Sequence, residues 1–186
     1  YGWRNPYFGL ADAAVLHAIL RERKPSVVVE VGSGFSSRVT RAALDRNGQG
    51  RLVSIDPEPR ADVSSVAHEA RRGEVQDVPV SFFEALPDDA VLFLDSSHRA
   101  GSGSDVNHLL LEVLPALAPG VRVHVHDVFL PEDYPAGWRW RGYNEQLGVM
   151  ALIAGGGWQP LFASNYARLH LAAQLVHRNA VRLVDR

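Results

Sequence analysis

Four short apolar runs, VVVEV at 27–31, LVSI at 52–55, VLFL at 91–94 and VRVHV at 121–125, each run into an acid or a tight turn. Runs of this length, rich in β-branched residues and, in the first three, without strict polar alternation, read as strands covered on both faces, as parallel strands are. Between them lie stretches with helical spacing. Leu10, Ala14, Val15, Ala18 and Ile19 recur on one stripe until Lys24-Pro25, and Val106, Leu109, Leu110, Val113, Leu114 and Leu117 form another that Gly120 ends. Such alternation implies right-handed crossovers and a mostly parallel, doubly wound α/β sheet with helices on both faces. Ligands of such sheets bind beyond the carboxyl ends of the strands, where strand order reverses. Glu30, Asp56, Asp95 and Asp127 stand at or just past four predicted strand ends, so the fold would bring four acids to one rim.

The remaining elements are read in the same way. Ser36 or Ser37 is expected to cap a helix running to about Arg46, Ala61 to Arg72 reads as a helix closed by Gly73, and a short third strand is expected within Val75 to Val80. Phe129 to Tyr143 has no periodicity and reads as a lid-like insertion. A helix around Asn144 to Ala154, a strand near Leu161 to Ala163 and a further helix and strand complete the chain. With 186 residues and no linker or repeat, one domain over 1–186 is the simplest organisation, with 1–24 as an N-terminal segment and helix and 129–143 as the lid.

Composition narrows the chemistry. A formal charge of −2 gives no electrostatic footprint for nucleic acid or an anionic membrane, and no apolar run reaches the length of a membrane span. Zero cysteines leave no disulfides, no thiolate metal site and no cysteine nucleophile, a usage that suits the cytoplasm.

The stretch VVVEVGSGFSS at 27–37 holds the most specific signal. Gly32 and Gly34 flank Ser33 in a turn that opens a helix, where free backbone N–H groups face a ligand. A dinucleotide fingerprint would need a third small residue where Ser37 stands. Glu30, two residues before Gly32, would repel a pyrophosphate and favour a ligand ammonium instead. Asp56, 22 residues after Gly34, is placed to accept from ribose hydroxyls.

VVVEVGSGFSS, LVSIDP, VLFLDSSH and VHVHDVFLPEDYP, taken in order, resemble the successive motifs of class I S-adenosylmethionine-dependent methyltransferases, nearest to the small-molecule and sugar O-methyltransferase-like group. The likeness runs from about Asn5 to Ala154. It implies a seven-stranded sheet with an antiparallel final hairpin, S-adenosyl-L-methionine as cofactor, Glu30 and the Gly32-Ser33-Gly34 loop around the methionine moiety, and Asp56 on the ribose. Asp77 is similar in position to an acid that meets the adenine amino group.

Asp95 and Asp127, ending neighbouring strands, could share a divalent cation such as Mg²⁺. This resembles the metal-dependent catechol-type O-methyltransferases, but Val128 replaces the asparagine that follows the second acid there. His98 and Asn144 are candidates for a third ligand. His98, three residues past Asp95, is the candidate general base, since imidazole titrates near working pH; a loop histidine bound to Asp95 is the alternative. His124 and His126 share a strand face with Arg122 and read as hydrogen-bonded histidines or, less economically, as a metal pair. Trp138, Trp140 and Tyr143 could cover an acceptor or form a dimer interface, and Asn5 and Tyr7 could fold over the cofactor. The resulting expectation is methyl transfer to an oxygen of a small polar acceptor, by a possible homo-oligomer with no nucleic-acid or membrane partner. A nicotinamide-dependent oxidoreductase and a non-catalytic protein on the same sheet are the alternatives.

Overall fold

The structure is a computed structural model that describes residues 7–171. It falls into two compact units: the described residues up to Ser96 with Gly101–His126, and Ser97–Ala100 with the described residues from Asp127 onward.

The first unit is built on five strands, β1 (Val27–Val31), β2 (Arg51–Ile55), β3 (Glu69–Arg71), β4 (Val91–Leu94) and β5 (Arg122–Val125), in the order β3-β2-β1-β4-β5. All pairings are parallel, as the buried β-branched runs required. Strand order reverses at β1, whose Glu30 lies opposite Ser54 of β2 and Phe93 of β4. Helix α1 (Leu10–Arg23) buries Ala13, Leu16 and Leu20, and α2 (Phe35–Asn47) buries Val39, Ala43 and Leu44. They pack with Val28, Leu52, Val91 and Phe93 of the sheet in one apolar cluster. Each such side chain contributes about 1.5–3 kcal/mol on leaving water.

Several expectations are corrected. The stretch 61–72 is not a helix: the Asp62 carboxylate accepts the Ser64 backbone N–H at 2.9 Å and its hydroxyl at 2.5 Å, which turns the chain, and Glu69–Arg71 then pairs with β2 as the third strand. Val75–Asp77 is instead a 3-10 turn, and α3 (Val80–Glu84) starts directly after Pro79, which has no N–H for a sheet ladder. Gly34, not Ser36 or Ser37, caps α2; the Ser37 hydroxyl accepts the Gly34 N–H at 3.0 Å. The apolar stripe from Val106 forms α4 (Asp105–His108), a π turn at Leu109–Val113 and α5 (Leu114–Ala116).

In the second unit, a 3-10 turn at Ala136–Arg141 interrupts the expected insertion, and α6 (Glu145–Ala154) and α7 (Ser164–His170) follow. Residues 161–163 form no strand; Leu161 and Phe162 are exposed. Five strands stand among the described residues in place of the expected seven. The expected last strand and hairpin, and Asn5, lie outside the described residues.

Candidate active site

In the first unit the glycine turn is fastened from three sides. Gly32 has φ +80°, and a Cβ on it would lie 1.8 Å from the Asp95 carbonyl oxygen, so this position takes no side chain. The constraint comes from the end of β4, whose Asp95 N–H donates to the Val31 carbonyl at 2.8 Å. Gly34 is different: its φ of 166° is extended, and a Cβ there would meet the Arg60 Cβ at an ordinary 3.7 Å. The Ser33 N–H donates to Asp56 Oδ2 at 2.6 Å, and Asp56 Oδ1 accepts the Glu58 N–H at 2.7 Å. Asp56 thus ties the strand end of β2 to the turn after β1.

Glu30 is fully buried. The hydroxyls of Ser36 and Ser37, in the first turn of α2, donate to its two carboxyl oxygens at 2.5 Å each. Burial pushes this carboxyl up to about 8; the two hydroxyls pull it down, and Asp95 and Asp56 raise it further. Three of the four predicted rim acids, Glu30, Asp56 and Asp95, are therefore close enough to feel one another. Asp77 is exposed in its 3-10 turn, six residues beyond β3. Over the turn, Tyr7 stacks on Phe35 with ring centroids 5.8 Å apart, and the Arg60 guanidinium lies 5.4 Å from the Tyr7 centroid. The cavity left among Tyr7, Ser33, Gly34, Phe35, Arg60 and Asp95 is about 10 Å³, room for a single water.

His126, the first residue past β5, is buried; its Nδ1 is 3.3 Å from Asp95 Oδ1, and its ring lies 5.1 Å from that of Phe8. His124 packs against Phe93 with centroids 4.6 Å apart, and burial pushes it down to about 4. His124 is thus a half-buried ring packed on a phenyl.

The second unit assembles a different group of side chains. His98 is 2% exposed and adopts φ +59°, a left-handed conformation that costs a non-glycine residue on the order of 1 kcal/mol. Its carbonyl accepts the N–H groups of Asn144 and Glu145 at 3.0 and 3.3 Å, anchoring the loop on the start of α6. Asn144 clamps the same loop from its side chain: Oδ1 accepts the Ala100 N–H at 2.6 Å and Nδ2 donates to the Ala100 carbonyl at 3.1 Å. Both ends of that amide are engaged in the fold. The His98 ring meets Glu145, Nδ1 to Oε2 at 2.8 Å, and packs on Tyr143 with centroids 4.5 Å apart. Nε2 faces Asp127 Oδ2 at 3.9 Å, and Asp127 also has a left-handed φ of +54°. The other Glu145 oxygen, Oε1, is buried without a hydrogen-bond partner among the described residues, a state that costs a carboxyl about 1–3 kcal/mol.

Glu145 is the residue sequence reading missed. Its position in the first turn of a helix is where acids commonly sit for the helix dipole, so nothing local marked it. Only the loop that lays His98 across the start of α6 reveals it.

This sheet, with its glycine turn and its acids at the strand ends, is that of a class I S-adenosylmethionine-dependent methyltransferase. A family model described as a methyltransferase domain matches residues 29–128, from β1 to just past β5, and the chain belongs to that family. No curated protein matches the chain. Among solved structures it is similar to the O-methyltransferase TomG from Streptomyces achromogenes, involved in tomaymycin synthesis and solved in complex with SAM, with 25% identity, a TM-score of 0.53, and 77% of this chain and 67% of that one covered. It is also similar in fold to the apo structure of CmcI-N160, at 18% identity and a TM-score of 0.53, with 82% of this chain and 66% of that one covered. The chain thus spans about two thirds of the length of these relatives. No helix among the described residues is long and apolar enough to cross a membrane.

Proposed function

We propose that the chain transfers a methyl group to a hydroxyl of a small polar molecule, with His98 as general base and Glu145 as the residue that orients it. The observation that carries this reading is the buried His98–Glu145 contact of 2.8 Å on a left-handed loop residue. With Glu145 Oε2 accepting, the Nδ1 position carries the ring hydrogen, and Nε2 is the nitrogen that takes the acceptor's proton. The fixed loop, clamped through Asn144, supplies positioning rather than chemistry.

S-adenosylmethionine, when bound, supplies an electrophilic methyl group on a sulfonium. The Gly32-Ser33-Gly34 turn is assigned to the methionine moiety through close backbone approach, its N–H groups being taken by Ile55, Asp56 and Ser37; Asp56 is assigned to the ribose hydroxyls and Asp77 to the adenine amino group. Glu30 is fully buried, so its part in this arrangement is to hold the first turn of α2 through Ser36 and Ser37. A cationic ligand would favour its ionised form. Tyr7 and Arg60 have to swing off the turn to admit a nucleoside, which needs a pocket on the order of hundreds of Å³.

Asp95 and Asp127 are assigned to a divalent cation such as Mg²⁺, an oxygen-seeking ion that would lower the cost of the acceptor's alkoxide. The test is calorimetric titration with S-adenosylhomocysteine and with NADH, then methyl-donor turnover on a panel of hydroxylated acceptors with Mg²⁺ and with EDTA. Binding of NADH alone overturns the reading, and cofactor binding with no turnover on any acceptor points to a protein that kept the fold without the chemistry. Equal rates in Mg²⁺ and EDTA remove the metal.

A further inference from the structure

The second unit contains a cavity of about 410 Å³, within the range of roughly 300–1,000 Å³ typical of small-molecule sites. It is lined by Tyr134, Trp138, Tyr143, Asp133, Ala136 and Arg139. Its rings meet edge to face: Trp138 and Tyr143 at 90° with centroids 5.9 Å apart, Tyr134 and Tyr143 at 76° and 5.8 Å. Perpendicular rings set positive edges beside negative faces, a surface that matches another flat π-system. The broad face of Trp138, which would suit a sugar, is already covered by the Arg141 guanidinium at 4.0 Å. Arg141 is further spent on the Tyr143 hydroxyl, to which Nη1 donates at 3.1 Å.

Arg139 is unlike Arg141. It is exposed and lines the same cavity, and its side chain forms no ion pair or hydrogen bond among the described residues. The one acid of the lining, Asp133, accepts the Tyr134 N–H at 2.7 Å through Oδ1 and does not pair with Arg139. An uncompensated guanidinium at the mouth of an aromatic cavity recognises a carboxylate through paired N–H donors. Tyr134 adds an oriented hydroxyl: burial holds it un-ionised, its pKa pushed up to about 12, and its oxygen accepts the Gln146 N–H at 3.3 Å. Tyr143 joins cavity and base, since its ring lines the one and packs on His98.

We infer that this cavity is the acceptor site and that it takes a planar hydroxylated aromatic ring bearing a carboxylate, with the carboxylate on Arg139. The inference rests on the methyltransferase reading for what happens to the ligand, but not for whether the ligand binds. Calorimetry without any cofactor, using protocatechuate, catechol and methyl glucoside as probes, tests it. Protocatechuate is expected to bind about tenfold more tightly than catechol, the size of one charge-assisted pair, and methyl glucoside not measurably. Arg139→Ala, an exposed change checked by an unaltered thermal melt, is expected to bring protocatechuate down to the catechol level without changing catechol. Glucoside binding as tight as protocatechuate, no protocatechuate binding, or an Arg139→Ala variant that keeps the full preference each overturns it. Parallel titration with S-adenosylhomocysteine separates the two claims. Probe binding without cofactor binding sinks the methyl-transfer reading and leaves the aromatic-acid site standing.

Discussion

The glycine turn of the first unit and the His98 loop of the second handle their acids in opposite ways. Around the glycine turn of the first unit, Glu30 and Asp56 are taken up by Ser36, Ser37, Ser33 and Glu58, and Tyr7 closes the cavity to the size of one water. In the second, a Glu145 oxygen is buried without a hydrogen-bond partner among the described residues, His98 and Asp127 hold left-handed conformations, and a 410 Å³ cavity is lined by a guanidinium whose side chain has no partner among those residues. Satisfied polar networks make a rigid frame; orphaned atoms and strained backbone are retained where chemistry uses them. On the proposed function, the glycine turn would receive its ligand by uncovering, while the His98 loop would hold its base already oriented.

That contrast can be broken at its strongest point. His98→Ala is expected to lower kcat by about 10²–10⁴, the usual worth of a general base, while S-adenosylhomocysteine binding measured by calorimetry stays within twofold. A matched loss of both would mean that His98 supports the fold instead. Gly32→Ala tests the scaffold: its Cβ would lie 1.8 Å from backbone, so a loss of about 3–5 kcal/mol is expected in urea denaturation. Gly34→Ala, with only an ordinary 3.7 Å contact to the Arg60 Cβ and an extended φ, is expected to cost under about 1 kcal/mol.

Glu145→Gln sharpens the comparison from the other side. The amide keeps the shape but supports the His98 ring less well, so kcat should fall about tenfold and the pH–rate profile should shift its base limb, with the thermal midpoint nearly unmoved. A change in stability with no change in the pH profile would make Glu145 structural only.

The smallest effects are the pH slopes of stability, and their signs differ within the first unit. Glu30 is raised from 4.5 to about 8 on folding, so the native state binds the extra proton and stability falls as pH rises across that window. Glu30→Gln should flatten the fall in the melting midpoint between pH 5 and pH 8 relative to the wild type. His124 is lowered from 6.5 to about 4, so the unfolded chain binds the extra proton and stability is lost as pH falls through that interval. His124→Phe should remove that acid sensitivity while keeping the ring contact with Phe93.

Much of the scaffold was legible because it is written locally. Val27–Val31 emerged with the bounds its β-branched run implied, and α1 stopped at Arg23, just ahead of Lys24-Pro25. The stretch 61–72 was not, because Val63, Val66 and Ala70 keep helical spacing while Asp62 binds Ser64 and turns the chain. The third strand went unseen for a related reason: Glu69–Arg71 carries polar residues that only pairing with β2 holds extended. In the site, an acid directly before a glycine turn announced Glu30 and Asp56 pointed to itself at a strand end, but what each one touches was invisible.

By itself the sequence determined strands β1, β2, β4 and β5, helices α1 and α2, the glycine turn and the acids that follow those strands, since each depends on neighbours a few positions away. The fold alone decided that Glu30 would bind Ser36 and Ser37, that His98 would lie against Glu145, and that Arg139 would stay unpaired while Arg141 did not. Contacts between residues 47 positions apart, such as His98 and Glu145, are fixed by how loops cross, and no periodicity along the chain encodes that crossing.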